Sequence, residues 1–354
     1  MTSSPERSFF STRDIRQAGI NPNYWYVVAQ SSEVKTQPIG ITLWERRIVL
    51  FRDTQGKVAA LEDCCPHRQV KLSHGRVQGD RLECAYHGWC FDSTGRCIDV
   101  PYLEKNQKLS SSKIRSYPVR EQDGFIWLFP GDQAVEKVAD FRISEWEHLN
   151  YIATVSVIDC NAHYSYLIEN LMDMYHGHLH QDWQAWADPV LQNLNEKRDR
   201  VDAFYQAQSY YKIDKIWSIS QLFFPALRRL HPEPLNVSYV YPHWVSTLGS
   251  DFKIYCLFCP RSLTSTRAYL VHFTSLNAFW RLHKLHVPFR RFVKNRLFGS
   301  AQKLLDGLVR QDVLMIEEEQ QAYLNNPQQH NHELNRAIAG VQRLIWVQAT
   351  EEIE

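Results

Sequence analysis

Through the first third of the chain, short apolar runs are broken by polar turns at intervals too short for helices. Tyr24-Trp25-Tyr26-Val27-Val28-Ala29 and the stretch 39–51 read as short strands, separated by the loop Ser31-Ser32-Glu33-Val34-Lys35. Arg52-Asp53-Thr54-Gln55-Gly56-Lys57 has Asp at its start and Gly near its end, so Val58-Ala59-Ala60-Leu61-Glu62 is expected to return as the second strand of a hairpin. Strands and polar turns continue to Gly124-Phe125-Ile126-Trp127-Leu128-Phe129-Pro130-Gly131. The pattern predicts an all-β domain over residues 20–131.

From about Asp132 the texture changes. The stretch 151–159 is strand-like, and 164–183 contains no Pro and only Gly177, long enough for a helix. Strand-like segments follow at 203–213, 235–244, 252–258 and 268–276, and a helical stretch at 304–324 closes the pattern. Strands bracketed by long helices predict an α+β domain over residues 132–354. No internal repeat or low-complexity tract argues for a solenoid or a long disordered arm.

Composition narrows the function. A chain of 354 residues, 44% hydrophobic and 13% aromatic, can bury the cores of two domains. Forty basic and 39 acidic residues leave a formal charge of +1, which supplies no field to gather nucleic acid. Met1-Thr2-Ser3-Ser4-Pro5-Glu6-Arg7 is followed by no apolar export segment, and no run approaches the ~18 apolar residues of a spanning helix, so a soluble cytoplasmic protein is expected. Five of eight cysteines fall between Cys64 and Cys97, which points to reduced thiols or metal ligands rather than a disulfide framework.

Cys65-Pro66-His67-Arg68 and Cys84-Ala85-Tyr86-His87-Gly88-Trp89, with sixteen residues between His67 and Cys84, place one Cys and one His on each of two loops. Structural zinc loops usually separate their ligands by two to four residues, whereas one residue separates Cys65 from His67. Two loops that each offer a thiolate and an imidazole suit a two-iron cluster with two thiolates on one iron and two imidazoles on the other. The zinc ribbon is the competing reading. Cys90 and Cys97 read as buried small hydrophobes.

Downstream, Glu169-Asn170-Leu171-Met172-Asp173-Met174-Tyr175-His176-Gly177-His178-Leu179-His180 is dense in ligand-type residues. On a helix His176 and His180 share a face, Asp173 lies one turn before His176, and His178 points away. Two histidines and a carboxylate with open positions characterise non-haem Fe(2+) oxygenases.

Together these two constellations resemble the Rieske non-haem iron oxygenases, catalytic (alpha) subunit. The Cys-x-His and trailing Cys-x-x-His-Gly-Trp loops match that family, and Asn170, Asp173, His176 and His180 resemble its Asn-x-x-Asp-x-x-His and second His. The spacing of three residues between His176 and His180 is similar to the saxitoxin-pathway members, where many relatives have four. The second loop cysteines of respiratory Rieske proteins are absent, which favours the oxygenase or ferredoxin branch.

By resemblance, Cys65 and Cys84 hold one iron of a [2Fe-2S] cluster and His67 and His87 the other, while His176 and His180 hold Fe(2+). A carboxylate on the late helix completes the triad. Asp312 in Arg310-Gln311-Asp312-Val313-Leu314-Met315-Ile316-Glu317 is the candidate, with Asp306, Glu317 and Glu318 as alternatives. The resemblance further implies a helix-grip catalytic domain and a head-to-tail homotrimer. There Asp173 would bridge His87 of one subunit to His176 of the next. No G-x-G-x-x-G is present, so NAD(P)H would act through a separate reductase or ferredoxin. The implied activity is mono- or dihydroxylation, or oxidative demethylation, of a small organic substrate, aromatic or alkaloid among the choices. An electron carrier without the second iron is the alternative.

Three features stand apart. Cys256 and Cys259, in an apolar strand-like run, read as buried thiols rather than a redox pair. The stretch 280–298 holds six Lys or Arg and no acid. Pro288 is expected to break any helix there and leave a partly solvated cover, with docking of an electron donor or an anionic membrane as the other readings. Trp183, Trp186, Tyr205, Tyr210, Tyr211, Trp217 and Trp244 divide between core and substrate pocket.

Overall fold

A computed structural model describes residues 14–104, 107, 112–132, 141–183, 186–210, 227, 229–278, 282–299, 302–329 and 331–350. β1 (Tyr26–Gln30) is buried along almost its whole length. The apolar stretch that follows is divided into β2 (Ile39–Leu43) and β3 (Arg46–Arg52) by Trp44 and Glu45, whose φ angles are 44° and 63°. Two successive left-handed residues match the right-handed twist of a tight hairpin. β4 (Val58–Glu62) returns as expected, because Asp53 Oδ1 accepts from the N–H groups of Gln55 and Lys57 at 2.9 and 2.8 Å and Gly56 supplies a φ of 87°.

Next come β5 (Arg76–Gln78), β6 (Arg81–Glu83), β7 (Cys90–Phe91) and β8 (Cys97–Asp99), one antiparallel sheet in chain order. β9 (Ser116–Tyr117) joins β4, while β10 (Val119–Gln122) and β11 (Phe125–Leu128) pair with each other, and β11 with β1. Among the described residues, strands up to Leu128 pair only with one another.

β12 (Tyr151–Cys160) leads into α1 (Tyr164–Met172), capped at its start by the His163 side chain, which accepts from the N–H of Ser165. β13 (Trp186–Lys197), β14 (Arg200–Ser209), β15 (His231–Val240), β16 (His243–Leu248), β17 (Phe252–Ser262) and β18 (Ser265–Ser275) complete a seven-stranded antiparallel sheet of order β12-β18-β17-β16-β15-β14-β13. α2 (Val287–Leu297), α3 (Gln302–Asn325) and α4 (Arg336–Thr350) follow. α1 packs on β15, α3 and α4, and α3 also packs on β12, so helices grip the sheet, the arrangement expected. One apolar core runs from β1–β3 through α1 to α4.

Three sequence expectations are corrected, and one strand, β13, is added to those expected. The helix over 164–183 ends at Met172, where Asp173 (φ −89°, ψ 97°) leaves helical geometry, and Met174–Trp183 continues as tighter 3-10 turns. β13 is an edge strand containing Pro189, a residue tolerated only where no inner ladder bond is needed. Pro288 does not break α2 but occupies its first turn, where a missing N–H is harmless. The helix α4 follows α3, one helix beyond the stretch 304–324 that closes the sequence pattern. Tyr211, Trp217 and the start of the basic stretch, together with the side chains of His178 and Trp183, lie outside the described residues.

Candidate metal centres

The Cys65 loop follows β4, and the Cys84 loop joins β6 to β7. Both close by the same hydrogen bonds. Cys65 N–H donates to Val70 O and Gln69 N–H to Cys65 O (2.9 and 2.7 Å), while Cys84 N–H donates to Trp89 O and Gly88 N–H to Cys84 O (2.8 and 3.1 Å). The fourth residue after each cysteine is left-handed, with φ 57° at Gln69 and 69° at Gly88. A Cβ at Gly88 would also meet Pro101 at 2.9 Å, so both backbone and space call for glycine there.

This pairing of turns sorts the side chains by type. Cys65 and Cys84 are buried within hydrogen-bonding contact of each other. Burial pushes the Cys65 thiol up to about 11, against N–H groups of His67 and Arg68 that favour its thiolate. The imidazoles of His67 and His87 pair nearer the surface, with ring centres 4.5 Å apart. Trp89 stacks on His67 at 5.1 Å and 7°, and its Nε1 donates to Tyr102 at 2.7 Å. His67 Nδ1 is buried without a hydrogen-bond partner, which suits an atom that would ligate a metal. Cys90 and Cys97 are buried, as expected of small hydrophobes.

The second site joins the 3-10 turns after α1 to the middle of α3. One ligand-type atom from each of His176, His180 and Asp312 lies within 4.8 Å of the others. Asp312 Oδ1 faces His180 Nε2 at 3.4 Å and His176 Nε2 at 3.8 Å. Burial raises the Asp312 carboxyl, against the pull of His180 and His176, and burial lowers the His176 imidazole, against the pull of Asp312. Asp312 Oδ1 is itself buried with no hydrogen-bond partner, and the Asn170 side chain hydrogen-bonds the carboxylate. A divalent cation would satisfy this donor set. Two neutral imidazoles and a carboxylate fit Fe(2+).

The far nitrogens of the rings are held separately. His176 Nδ1–H donates to the carbonyl of Asp173, and His180 Nδ1–H donates to Gln311 Oε1 at 3.1 Å. Each bond leaves the Nε2 lone pair facing the metal position. The Asp173 contact differs from expectation, because within one chain its carbonyl, not its carboxylate, meets His176. The carboxylate Oδ1 instead accepts from Tyr175 N–H and Asn335 Nδ2, each at 3.0 Å. Trp186 lies with its ring centre 6.2 Å from that of His176 and donates to Met174 O at 2.9 Å.

The alternative carboxylates are engaged elsewhere: Asp306 accepts from Gln302, and Glu317 from Asn161. Glu318 is exposed. Gln311 and Asn335 carried no sequence signal of their roles. Tyr205, Tyr210 and Trp244 are buried, and Tyr205 donates to Met172 O at 3.3 Å. Cys256 and Cys259 are buried thiols, with burial pushing Cys259 up to about 12.

Comparison with known proteins bears on the same two sites. A model of the Rieske [2Fe-2S] domain matches residues 24–118. The chain is 31% identical over 348 residues to 4beta-methylsterol monooxygenase of Methylococcus capsulatus, covering 94% of this chain and 89% of that protein. It is 38% identical over 158 residues to the oxygenase component of dicamba O-demethylase from Stenotrophomonas maltophilia, covering 44% of this chain and 46% of that one. The fold matches the crystal structure of dicamba monooxygenase bound to dicamba with a TM-score of 0.72 at 22% identity, over 97% of this chain and 100% of that chain. Such relatives are named as components of multi-component systems, and they support the oxygenase rather than the electron-carrier alternative. The chain therefore belongs to the Rieske non-haem iron oxygenases, as an oxygenase component that uses O2, a [2Fe-2S] cluster and a mononuclear Fe(2+).

Proposed function

We propose that this oxygenase component monooxygenates an apolar, sterol-like molecule, with Cys65, His67, Cys84 and His87 holding the cluster and His176, His180 and Asp312 holding the iron. The observation that carries the ligand assignment is the buried, unpartnered Asp312 Oδ1 facing two imidazole nitrogens. The substrate class is supported by the sterol monooxygenase relative, which aligns with 94% of the chain, whereas the O-demethylase relative aligns with 44%. Residues 20–131 form the cluster-carrying domain and 132–354 the catalytic domain.

When bound, the cluster passes single electrons and the ferrous ion provides a site where O2 is reduced. The residues prepare that chemistry. Burial of Cys65 and Cys84 keeps water from one side of the cluster position, while His67 and His87 face outward, where another protein surface can reach them. The half-buried Asp173 carboxylate has Oδ1 fixed by two donors, which orients the group to accept a hydrogen bond from an imidazole N–H of another subunit. A head-to-tail homotrimer would bring His87 there. Electrons enter from NAD(P)H through a reductase or ferredoxin. Eight unpaired cysteines favour a cytoplasmic setting, and among the described residues no helix is long and apolar enough to cross a membrane.

Reduced holoprotein incubated with O2 and a methylated sterol is expected to yield a product heavier by one oxygen. Demethylation of an aromatic ether with no reaction of the sterol would overturn the substrate assignment.

A further inference from the structure

Helix α2, Val287–Leu297, turns two of its cations inward and two aromatic rings outward. Its sequence VPFRRFVKNRL carries four cations and no acid, although the whole chain has a formal charge of only +1. Amphipathic helices bury their apolar stripe and leave charges in water. Here Arg290 reaches inward to Asn150 Oδ1, and Lys294 donates to the carbonyls of Trp146 and His148. The aromatic residues point the other way. Phe289 and Phe292, with ring centres 6.1 Å apart, are 52% and 62% exposed, and no residue of the helix is buried. With about 100° of turn per residue, Arg296 projects between Phe289 and Phe292, while Arg291 lies at the side of the helix, about 100° beyond Phe292; both arginines are exposed.

We propose that α2 docks the protein on an anionic lipid surface. A pair of exposed aromatic rings with one cation between them and a second at the side of the helix is the surface of a helix that lies in a membrane interface, rings toward the acyl chains and cations at the phosphates. Eleven residues span only about 16 Å of helix, about half of a hydrocarbon core, so α2 lies flat and does not cross. A protein electron donor fits less well. α2 packs against β12 of the catalytic sheet, not against the β5–β8 sheet between whose strands the Cys84 loop runs. From α2 the chain passes through Phe298 and Gly299, whose N–H donates to Ala153 O at 3.1 Å, toward α3 and Asp312. The docking helix and the helix of the third candidate ligand are thus adjacent in the chain. The inference does not depend on the substrate.

The test is sedimentation of holoprotein with vesicles of phosphatidylcholine, with and without phosphatidylglycerol, at low salt. Binding is expected only with the anionic lipid and is expected to weaken with salt. Each cation near such a surface strengthens binding roughly five-fold, so R291A/R296A should weaken it roughly 25-fold. F289S/F292S should also release the protein, with the cluster's visible spectrum and the thermal midpoint unchanged in both variants. Equal binding by wild type and both variants, or no binding to anionic vesicles, overturns the proposal. So does vesicle-independent self-association, or cross-linking to an acidic donor protein, that F289S/F292S abolishes.

Discussion

Gln311 offers a graded test of the mononuclear centre. It is the residue before Asp312, and its side chain is the acceptor that fixes His180 Nδ1–H at 3.1 Å. His176 gets the same service from a main-chain carbonyl, which no substitution deletes, so the two rings can be perturbed separately. Gln311→Leu removes one neutral hydrogen bond, worth about 1 kcal/mol. It also frees the broad ring torsion of His180, adding roughly half a kcal/mol against binding. The sum corresponds to about ten-fold weaker ferrous binding, the low end of the ~10–100-fold range for such partners. The low end is appropriate because Gln311 is exposed and water can take its place. Gln311→Glu keeps an acceptor and adds charge, so its affinity should stay at or above wild type. The assay is anaerobic Fe(2+) titration against a coloured chelator with the cluster loaded, using Asp312→Ala as the reference for losing a ligand outright. A Leu variant within two-fold of wild type, or one as depleted as Asp312→Ala, refutes the assigned role.

Two further outcomes follow from other groups. Asp173→Ala should retain both metals but lose turnover, read as slow reoxidation of the reduced cluster in a single turnover; normal reoxidation would remove Asp173 from the relay. His243 is buried, with Nε2–H donating to Trp25 O at 3.0 Å and Nδ1 accepting from Phe258 N–H at 3.3 Å, so both nitrogens are satisfied only in the neutral ring. Burial pushes its pKa down to about 3, so below the unfolded value of ~6.5 only the unfolded chain gains the proton. Its stability contribution is present above pH ~6.5 and is lost toward pH 3 at about 1.4 kcal/mol per pH unit. Denaturant unfolding at two pH values between those limits should show that slope flattened by this amount in His243→Gln; an unchanged slope would show that the ring takes up its proton in the folded state.

The two Cys/His loops were legible because each keeps its ligand types within a few residues and the loop turns are local. His176 and His180 were legible for a partly wrong reason. Their four-residue offset suggested one helical face, but the α-helix stops at Met172 and the rings converge across 3-10 turns that pack on α3. What brings them together is tertiary, and the same holds for Gln311 and Asn335, which lie 131 and 162 residues from their partners. Pro288 was ambiguous because proline ends a helix from within but begins one in its first turn. α4 had a readable signal in Ile338, Val341, Leu344 and Ile345, all buried on one face. β13 had little, since an edge strand with seven of its twelve residues exposed shows no clean alternation.

The geometry of the candidate ligands depends on contacts made by α3 and α4. α3 supplies Asp312 and, through Gln311, the acceptor that orients His180. α4 is preceded by Asn335, whose Oδ1 accepts from Ala337 N–H at 3.0 Å while its Nδ2 holds Asp173 Oδ1. One asparagine therefore caps a helix and fixes the carboxylate three residues before His176. The capping bond has a local reason to exist, since an orphan N–H at a helix start needs an acceptor. The second bond has none within α4. A side chain already immobilised by capping loses little further freedom when it also orients Asp173, which makes this helix start a stiff support for the carboxylate. The same logic explains why the candidate iron ligands sit on short turns braced by long helices: the turns allow the rings to converge, and the helices keep them from drifting apart.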